Sequence, residues 1–431
     1  MRVPVGIRLL ASIVVASVAA AASASAQPAP VPAPSGLAGP VLDLAELVRI
    51  ALERNPGLAA ARHRVEAARL RPEQERRLPD PMLSAGWNSS GNPLPGAGLG
   101  REPTANIGVM VTQALPYPGK RQLKAAMAGH EADAEARQLE ALERGVTQRV
   151  KQAYYRLSFA VGAAALLEQN KALLETLLRV TEERYAVGRA MQADVFRAQA
   201  ELTAIELRLE RLRHDRIARE AELNALVDRH ADAPVGRPSA LALPDFTLSV
   251  ERLLAAATAT PALAREQSMV MRAGTAVEAA KRDFKPDFAV SGGYYHMGSM
   301  PAMYMVRLDV ELPLQRARRS AALREREASL QESRAGFEAM RREIESSVQD
   351  DYHMAMTESR LARLYRDTML PQQRMAFEAS MASYQTGGAD FGSLLGTFAS
   401  VLENEMSYLE ALTGFHEAVS RLEAVSGPVQ Q

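Results

Sequence analysis

Cysteine is absent from the 431 residues. That excludes disulfides, thiolate catalysis and Cys-ligated zinc or iron–sulfur sites. A surplus of either charge is also absent, with 51 Lys and Arg against 51 Asp and Glu. Nucleic-acid binders usually carry a basic excess, so no nucleic-acid partner is expected. Aromatic residues are only 5% of the chain, too few for one large compact core and natural for helices packed through Ala and Leu. Beyond the N-terminus no stretch approaches the ~18 consecutive apolar residues of a membrane helix. A chain with this composition that crosses a bilayer must do so with strands. Gly-rich phosphate loops, H-E-x-x-H and the nucleophile elbow are missing. Asp and Glu fall mostly beside Arg on helix faces, the pattern of solvated or interhelical pairing. Neither catalysis nor a cofactor is therefore expected.

What the chain does carry begins with an address. Arg2 and Arg8 precede the apolar run Leu9 to Val15, and Ala24-Ser25-Ala26 reads as a cleavage site. Residues 1–26 are thus read as a signal peptide and 27–41 as a Pro/Ala-rich tether. No Cys follows the cleavage site, so an acylated N-terminal Cys is excluded.

The rest repeats. Asn55-Pro56, Pro79-Asp80, Leu115-Pro116, Tyr154 and Tyr185-Ala-Val-Gly188 recur in the same order as Thr260-Pro261, Pro286-Asp287, Leu312-Pro313, Tyr352 and Tyr384-Gln-Thr-Gly387. The spacing of about 200 residues is too long for a solenoid and marks one duplicated unit. The halves are 42–235 and 246–426, joined by a Pro/Gly-rich linker at 236–245 and followed by a tail at 427–431. Each half reads helix, strand, strand, long helix, turn, helix. Leu139, Leu142, Val146, Val150, Tyr154, Leu157 and Val161 step by three or four, a coiled-coil-like seam. From Lys120 to Arg184 there is no Pro, which predicts a rod of about 100 Å. A second rod is expected from Arg316 to Ser383, interrupted at Pro371.

Four short segments lose the helical period. In 304–312, Tyr304, Val306, Leu308, Val310 and Leu312 alternate with Met305, Arg307, Asp309 and Glu311, the length and pattern of a transmembrane strand. Segments 82–89, 107–113 and 288–295 alternate more weakly. Four strands cannot close a membrane barrel, because lipid tolerates no open edges and barrels need at least eight. The membrane reading therefore requires an oligomer, with Val306, Leu308 and Val310 toward lipid and Arg307, Asp309 and Glu311 toward a lumen.

The stretch Leu42 to Pro56, the strand exit Gln113-Ala-Leu-Pro-Tyr-Pro-Gly-Lys120 and the segment 183–202 (ERYAVGRAMQADVFRAQAEL), in this order, resemble the TolC-like outer-membrane efflux proteins. The Pro-Gly-Lys exit is similar to that of the heavy-metal efflux branch. The resemblance implies a mainly α fold with a small β part. It implies a homotrimer whose twelve-stranded outer-membrane barrel continues into a periplasmic helical tunnel. Substrates would pass outward from an inner-membrane pump of RND type through a periplasmic adaptor. The competing expectation is a soluble periplasmic adaptor or coiled-coil scaffold, which usually has one helical hairpin rather than two.

The resemblance implies that two reversals are the adaptor-docking tips: Tyr185, Gly188 and Asp194 in the first half, and Tyr384, Gly387 and Gly388 in the second. Gly supplies the left-handed turn and Asp favours the next helix start, which already explains these residues locally. The family often places Asp in the second tip to ring a closed aperture. Here Asp390 and Ser393 are the candidates, with Ser393 at the position that Asp194 holds in the first tip. Finally, His296, Met297, Met300 and Met303 crowd one strand connection, and thioether with imidazole suits soft monovalent metals.

Overall fold

The computed structural model describes residues 41–89 and 93–427. The signal-peptide reading, the tether up to residue 40 and the last four residues of the tail lie outside these.

The first half opens with β1 (Val41–Leu42), α1 (Leu44–Arg54) and α2 (Pro56–Arg76). Asp43 caps α1 by accepting from the Ala45 N–H at 2.9 Å. Asn55 ends α1 and caps α2, its Oδ1 accepting from Gly57 and Leu58, with Pro56 in the first turn where no N–H is missed. The second half repeats this device. Thr260 caps α6 (Pro261–Arg282), and Pro261 begins it. A shorter α5 (Val250–Ala257) precedes it.

Strands β2 (Met82–Asn88) and β3 (Asn106–Leu115) follow α2, then α3 (Lys120–Ala186) and α4 (Gln192–Leu226). After β4 (Arg237–Pro238) and the two helices of the second half come β5 (Asp287–Met297), β6 (Met300–Glu311), α7 (Arg316–Leu364), α8 (Leu370–Thr386) and α9 (Phe391–Ser426). α3 is 67 residues long, about 100 Å at about 1.5 Å per residue. Pro371 does not break the second rod. Leu364 leads into a five-residue π-turn, Tyr365–Met369, and α8 resumes at once. Proline has no N–H and would clash with the carbonyl four residues back. The widened turn, in which the Leu370 N–H reaches Tyr365 O, accommodates it.

The rods pack through three clusters. Val146, Val150, Tyr154 and Leu157 of the predicted seam join Leu47, Ile50 and Leu58 of the first helices. Leu167, Leu174 and Leu177 of α3 meet Ile205 and Leu209 of α4 and Phe391, Leu394 and Phe398 of α9. Val348, Phe415, Val419 and Leu422 form a third cluster with Leu253. Between them Ala dominates, with Ala61 and Ala68 on α2, Ala125, Ala128 and Ala132 on α3, and Ala273, Ala276 and Ala280 on α6 all buried. Side chains this small let helix axes approach closely, which explains how a chain so poor in aromatics packs its helices.

The linker is more ordered than its Pro/Gly content predicts. Val41, assigned to the tether, and Arg237 and Pro238, assigned to the linker, belong to a two-residue parallel ribbon with Leu42. The Tyr154 hydroxyl lies 2.8 Å from Ser239 Oγ and accepts from the Ser239 N–H at 3.1 Å, holding that ribbon against α3.

The remaining strands make one antiparallel sheet in the order β2-β3-β5-β6. The two predicted strand pairs are therefore not separate. β3 and β5 join the halves through nine paired residues from Ile107↔His296 to Leu115↔Phe288. β2 and β6 are left as edges.

Candidate functional site

The register collects the alternation of four strands into two continuous faces. Leu83, Ala85 and Trp87 pair with Val111, Val109 and Ile107. Val111 and Val109 continue to Gly292 and Tyr294, and these to Val306 and Tyr304. Val290 pairs with Leu308 and Phe288 with Val310. This face is apolar apart from Gln113 and His296 and open to the surroundings: Leu83 is 70% exposed, Leu308 64% and Val306 85%. A single strand with such a face is ordinary, but four in register form an uncovered apolar surface that water disfavours. Tyr294 and Tyr304 stack edge-on at 5.6 Å toward one end of it, with Trp87 one row beyond. That is where a membrane strand carries its interfacial aromatics.

The opposite face is polar and small toward the helical end, and carries Met110, Tyr295, Met303 and Met305 toward the other end. Thr112 pairs with Ser291 and Ser291 with Arg307, and the two hydroxyls lie 2.9 Å apart. Arg307 Nε donates to Asp309 Oδ2 at 3.0 Å. Glu311 lies beside Asp287 at the end of the sheet. Arg307, Asp309 and Glu311 thus share one side, opposite Val306, Leu308 and Val310.

All four connections between the sheet and the long helices leave from one end. The described link residues 93–105 and the turn Gly298-Ser299 stand at the other. At the helical end β3 turns sharply into α3. Gly119 adopts φ +96°, and a Cβ there would strike Arg282. Lys120, largely buried, donates to Asp287 Oδ2 at 2.8 Å, while the Tyr117 N–H donates to Asp287 Oδ1 at 2.7 Å. Arg282 reaches back to Pro118 O at 2.9 Å. The Pro-Gly-Lys exit of the first half is thereby bolted to the Pro-Asp entry of the second. Sequence alone offered Lys120 as part of a motif but could not supply its partner.

At the other end of the rods the two reversals are neighbours. Gly188 has φ +70° and Gly387 φ +83°, and a Cβ on either would meet nothing within 4 Å. Both are open left-handed turns, with Tyr185, Gly388 and Ser393 exposed around them. Tyr384 and Asp194, read from sequence as docking residues, are instead buried. The Tyr384 ring lies against Phe391, and its hydroxyl is 3.3 Å from Thr181 Oγ1. The Asp194 carboxylate accepts from the Met191 N–H at 3.3 Å and lies 3.6 Å from Arg197. Tyr384 thus ties the second tip to α3, whereas Asp194 braces the start of α4 within its own tip. Asp390, a candidate aperture residue, caps α9 by accepting from the Ser393 N–H at 2.8 Å. The tip residue missed from sequence is Arg184, which crosses from α3 to the end of α8.

The Met and His residues of the β5–β6 connection do not converge. His296 pairs with Ile107 on the apolar face, whereas Met303 pairs with Tyr295 on the other, and Met297 faces Met300 across the turn. The pleat sends side chains of neighbouring residues to opposite faces, so closeness in sequence is not closeness in space.

A sheet with one bare apolar face and two open edges, standing on two long helical hairpins, defines a membrane channel subunit. The family model described as outer membrane efflux protein matches residues 47–228 and 254–428, one segment in each half. The chain belongs to that family, whose members are outer-membrane channel components of efflux systems. Among solved structures, the fold is similar to that of CusC, with a TM-score of 0.76 at 15% identity over 89% of this chain and 92% of that one. It is similar to VceC from Vibrio cholerae, with a TM-score of 0.76 at 19% identity over 89% of this chain and 96% of that one. It is also similar to the CmeC outer membrane channel of Campylobacter jejuni, at 0.74 and 14% identity over 89% and 85%. At these identities the likeness is one of fold. No curated protein sequence gives a significant match. Among the described residues no helix is long and apolar enough to cross a membrane. The scaffold and adaptor reading is not favoured.

Proposed function

We propose that three copies close their sheets edge to edge into a twelve-stranded outer-membrane barrel, and that the helical hairpins continue it as a tunnel through the periplasm. The observation that carries this reading is the sheet itself: an uncovered apolar face, a polar face behind it and unpaired edges at β2 and β6. In lipid an unsatisfied backbone group costs several kcal/mol, so the edges must pair with other copies. Because every helix leaves from one end of the sheet, that end faces the periplasm and the two links face outside.

The channel conducts passively. Substrate and driving force come from an inner-membrane pump of RND type, joined through a periplasmic adaptor that meets the hairpin tips around Tyr185, Gly188, Gly387 and Gly388. Asp390 and Ser393 lie at the aperture there, and Arg307, Asp309 and Glu311 line the barrel lumen. The Pro-Gly-Lys exit favours metal ions as cargo.

Purification in detergent followed by native mass measurement and planar-bilayer recording tests the reading. A trimer with steady conductance is expected. A monomer stably inserted in bilayers would overturn it.

A further inference from the structure

The two helices that leave the sheet start with the wrong charges for a helix. A helix N-terminus carries partial positive charge, so Asp and Glu are favoured there and Lys and Arg disfavoured. α3 opens with Lys120, Arg121 and Lys124 and has no acidic residue in its first turn. α7 opens with Arg316, Arg318 and Arg319, also with none. No acid appears before Glu131 in α3 or before Glu325 in α7. In a chain with no net charge this is a local surplus, repeated at the same place in both halves. Departures from a local stability rule of this kind concentrate at functional sites.

Part of the surplus is used inside the fold. Lys120 pairs with Asp287, Arg121 donates to Arg76 O, Arg282 to Pro118 O and Arg319 to Asp283 O. Lys124, Lys285, Arg316 and Arg318 are exposed, and among the described residues none of them has a carboxylate at ion-pair distance. Acids near them include Glu75, Asp80, Asp283, Asp287 and Glu311, with Asp283 3.7 Å from Lys120 and the charge of Lys124 felt by Asp287 beyond ion-pair distance. These bases stand where the apolar face of the sheet ends. Val310 is followed by Leu312, 60% exposed, and Leu314, 81% exposed, two residues before Arg316.

We propose that this basic collar binds the phosphate headgroups of anionic phospholipid in the periplasmic leaflet of the outer membrane. The proposal rests on the barrel reading, which sets the collar at the lipid–water boundary. Leu312 and Leu314 dip into the acyl region while Lys124, Lys285, Arg316 and Arg318 meet the phosphates just below. Each basic residue near an anionic lipid surface contributes roughly a fivefold preference. The collar is repeated in every copy around the barrel and fixes its depth and tilt in the leaflet.

The test uses the full chain purified from membranes. Wild type and the triple variant Lys124→Gln, Arg316→Gln, Arg318→Gln are placed in vesicles of phosphatidylethanolamine with phosphatidylglycerol, and retained lipid is counted by native mass spectrometry. Wild type should retain phosphatidylglycerol over phosphatidylethanolamine at least tenfold. The triple variant should lose most of that preference with trimer mass and conductance unchanged. Inorganic phosphate at millimolar concentration should not displace the lipid; displacement would mean a free-phosphate site and would overturn the proposal. Insertion with equal lipid retention in both proteins would sink the collar and leave the barrel standing. Failure to insert would sink both.

Discussion

Arg184 of the first hairpin grips the last turn of α8 in the second. Its guanidinium donates to Tyr384 O and to Gln385 O, each at 2.7 Å, and lies 4.4 Å from the centre of the Tyr384 ring. A helix C-terminus exposes unpaired carbonyls and partial negative charge, so a cation there is doubly favoured. One side chain thus ties two reversals that are about 200 residues apart in the chain.

Replacing Arg184 by Gln should loosen that tie. Hydrogen bonds to a charged group are worth about 1.5–3 kcal/mol, and the half-exposed setting puts this one toward the lower end. The variant should form trimers of normal heat stability but show larger or noisier single-channel conductance, because the second tip is freed. Conductance identical to wild type would mean that the grip does not restrain the mouth.

The sheet faces give a paired test. Leu308→Arg puts a charge on the exposed apolar face and should cost roughly 2–4 kcal/mol if it lies near the bilayer midplane, with loss of membrane-inserted trimer. Glu311→Gln, on the polar face, should assemble normally and change only ion selectivity. Equal effects on assembly would refute the assignment of faces.

At the junction of strand and rod, Lys120→Ala removes the cation beside Asp287 and leaves a part-buried carboxylate with the Tyr117 N–H and the more distant charge of Lys124. Breaking a fully buried pair costs about 3–5 kcal/mol; the partial exposure of Asp287 makes this smaller. A lower temperature of trimer dissociation is expected, and the double change Lys120→Met, Asp287→Leu should recover part of the loss. Were the single variant as heat-stable as wild type, the junction would add nothing to the β3–β5 pairing that joins the halves.

Gly188 and Gly387 separate docking from folding. Alanine at either left-handed turn should lower stability by about 1 kcal/mol through strain alone, since a Cβ meets no atom. Tryptophan at either should also leave the trimer intact. In the docking reading it should in addition weaken crosslinking to the adaptor and export. Normal crosslinking and export in both tryptophan variants would place the docking surface elsewhere.

His416 gives the helical body a pH dependence. Burial against Tyr155 and Phe415 holds its pKa below the ordinary histidine value; the hydrogen bond to Ala242 O and the charge of Glu423 oppose this without cancelling it. Above the ordinary value, about 6.5, the ring is neutral in both states and contributes no pH dependence. As pH falls below it, the unfolded chain takes up the proton first, so stability declines until the lowered folded pKa is passed. Thermal melts from pH 7.5 to 5 should show this decline in wild type and a shallower one in His416→Gln. Parallel slopes would rule out His416 as the source.

Much of this architecture was legible in the residues. The duplication shows in Asn55-Pro56 and Thr260-Pro261 because a cap and a helix-starting proline are local devices that any chain must spell out. The seam from Val146 to Leu157 shows because a helix repeats every 3.6 residues whatever it packs against, and Val306, Leu308 and Val310 show because a strand alternates every two. Partnership was not legible. Nothing in either strand pair states that β3 lies beside β5, because register is set by the assembled sheet and a shift of one residue exchanges its faces. The same holds for Lys120 with Asp287 and Arg184 with Tyr384, whose partners lie in the other half. Tyr384 and Asp194 looked like tip surface because both stand near a turn glycine, yet Tyr384 is buried against Phe391 and Thr181 and Asp194 folds back onto the start of its own helix. Sequence determined which faces exist, since periodicity and caps act within a few residues. Tertiary structure decided which of those faces are covered and which are left for lipid and partners, because burial depends on what arrives from the distant half of the chain.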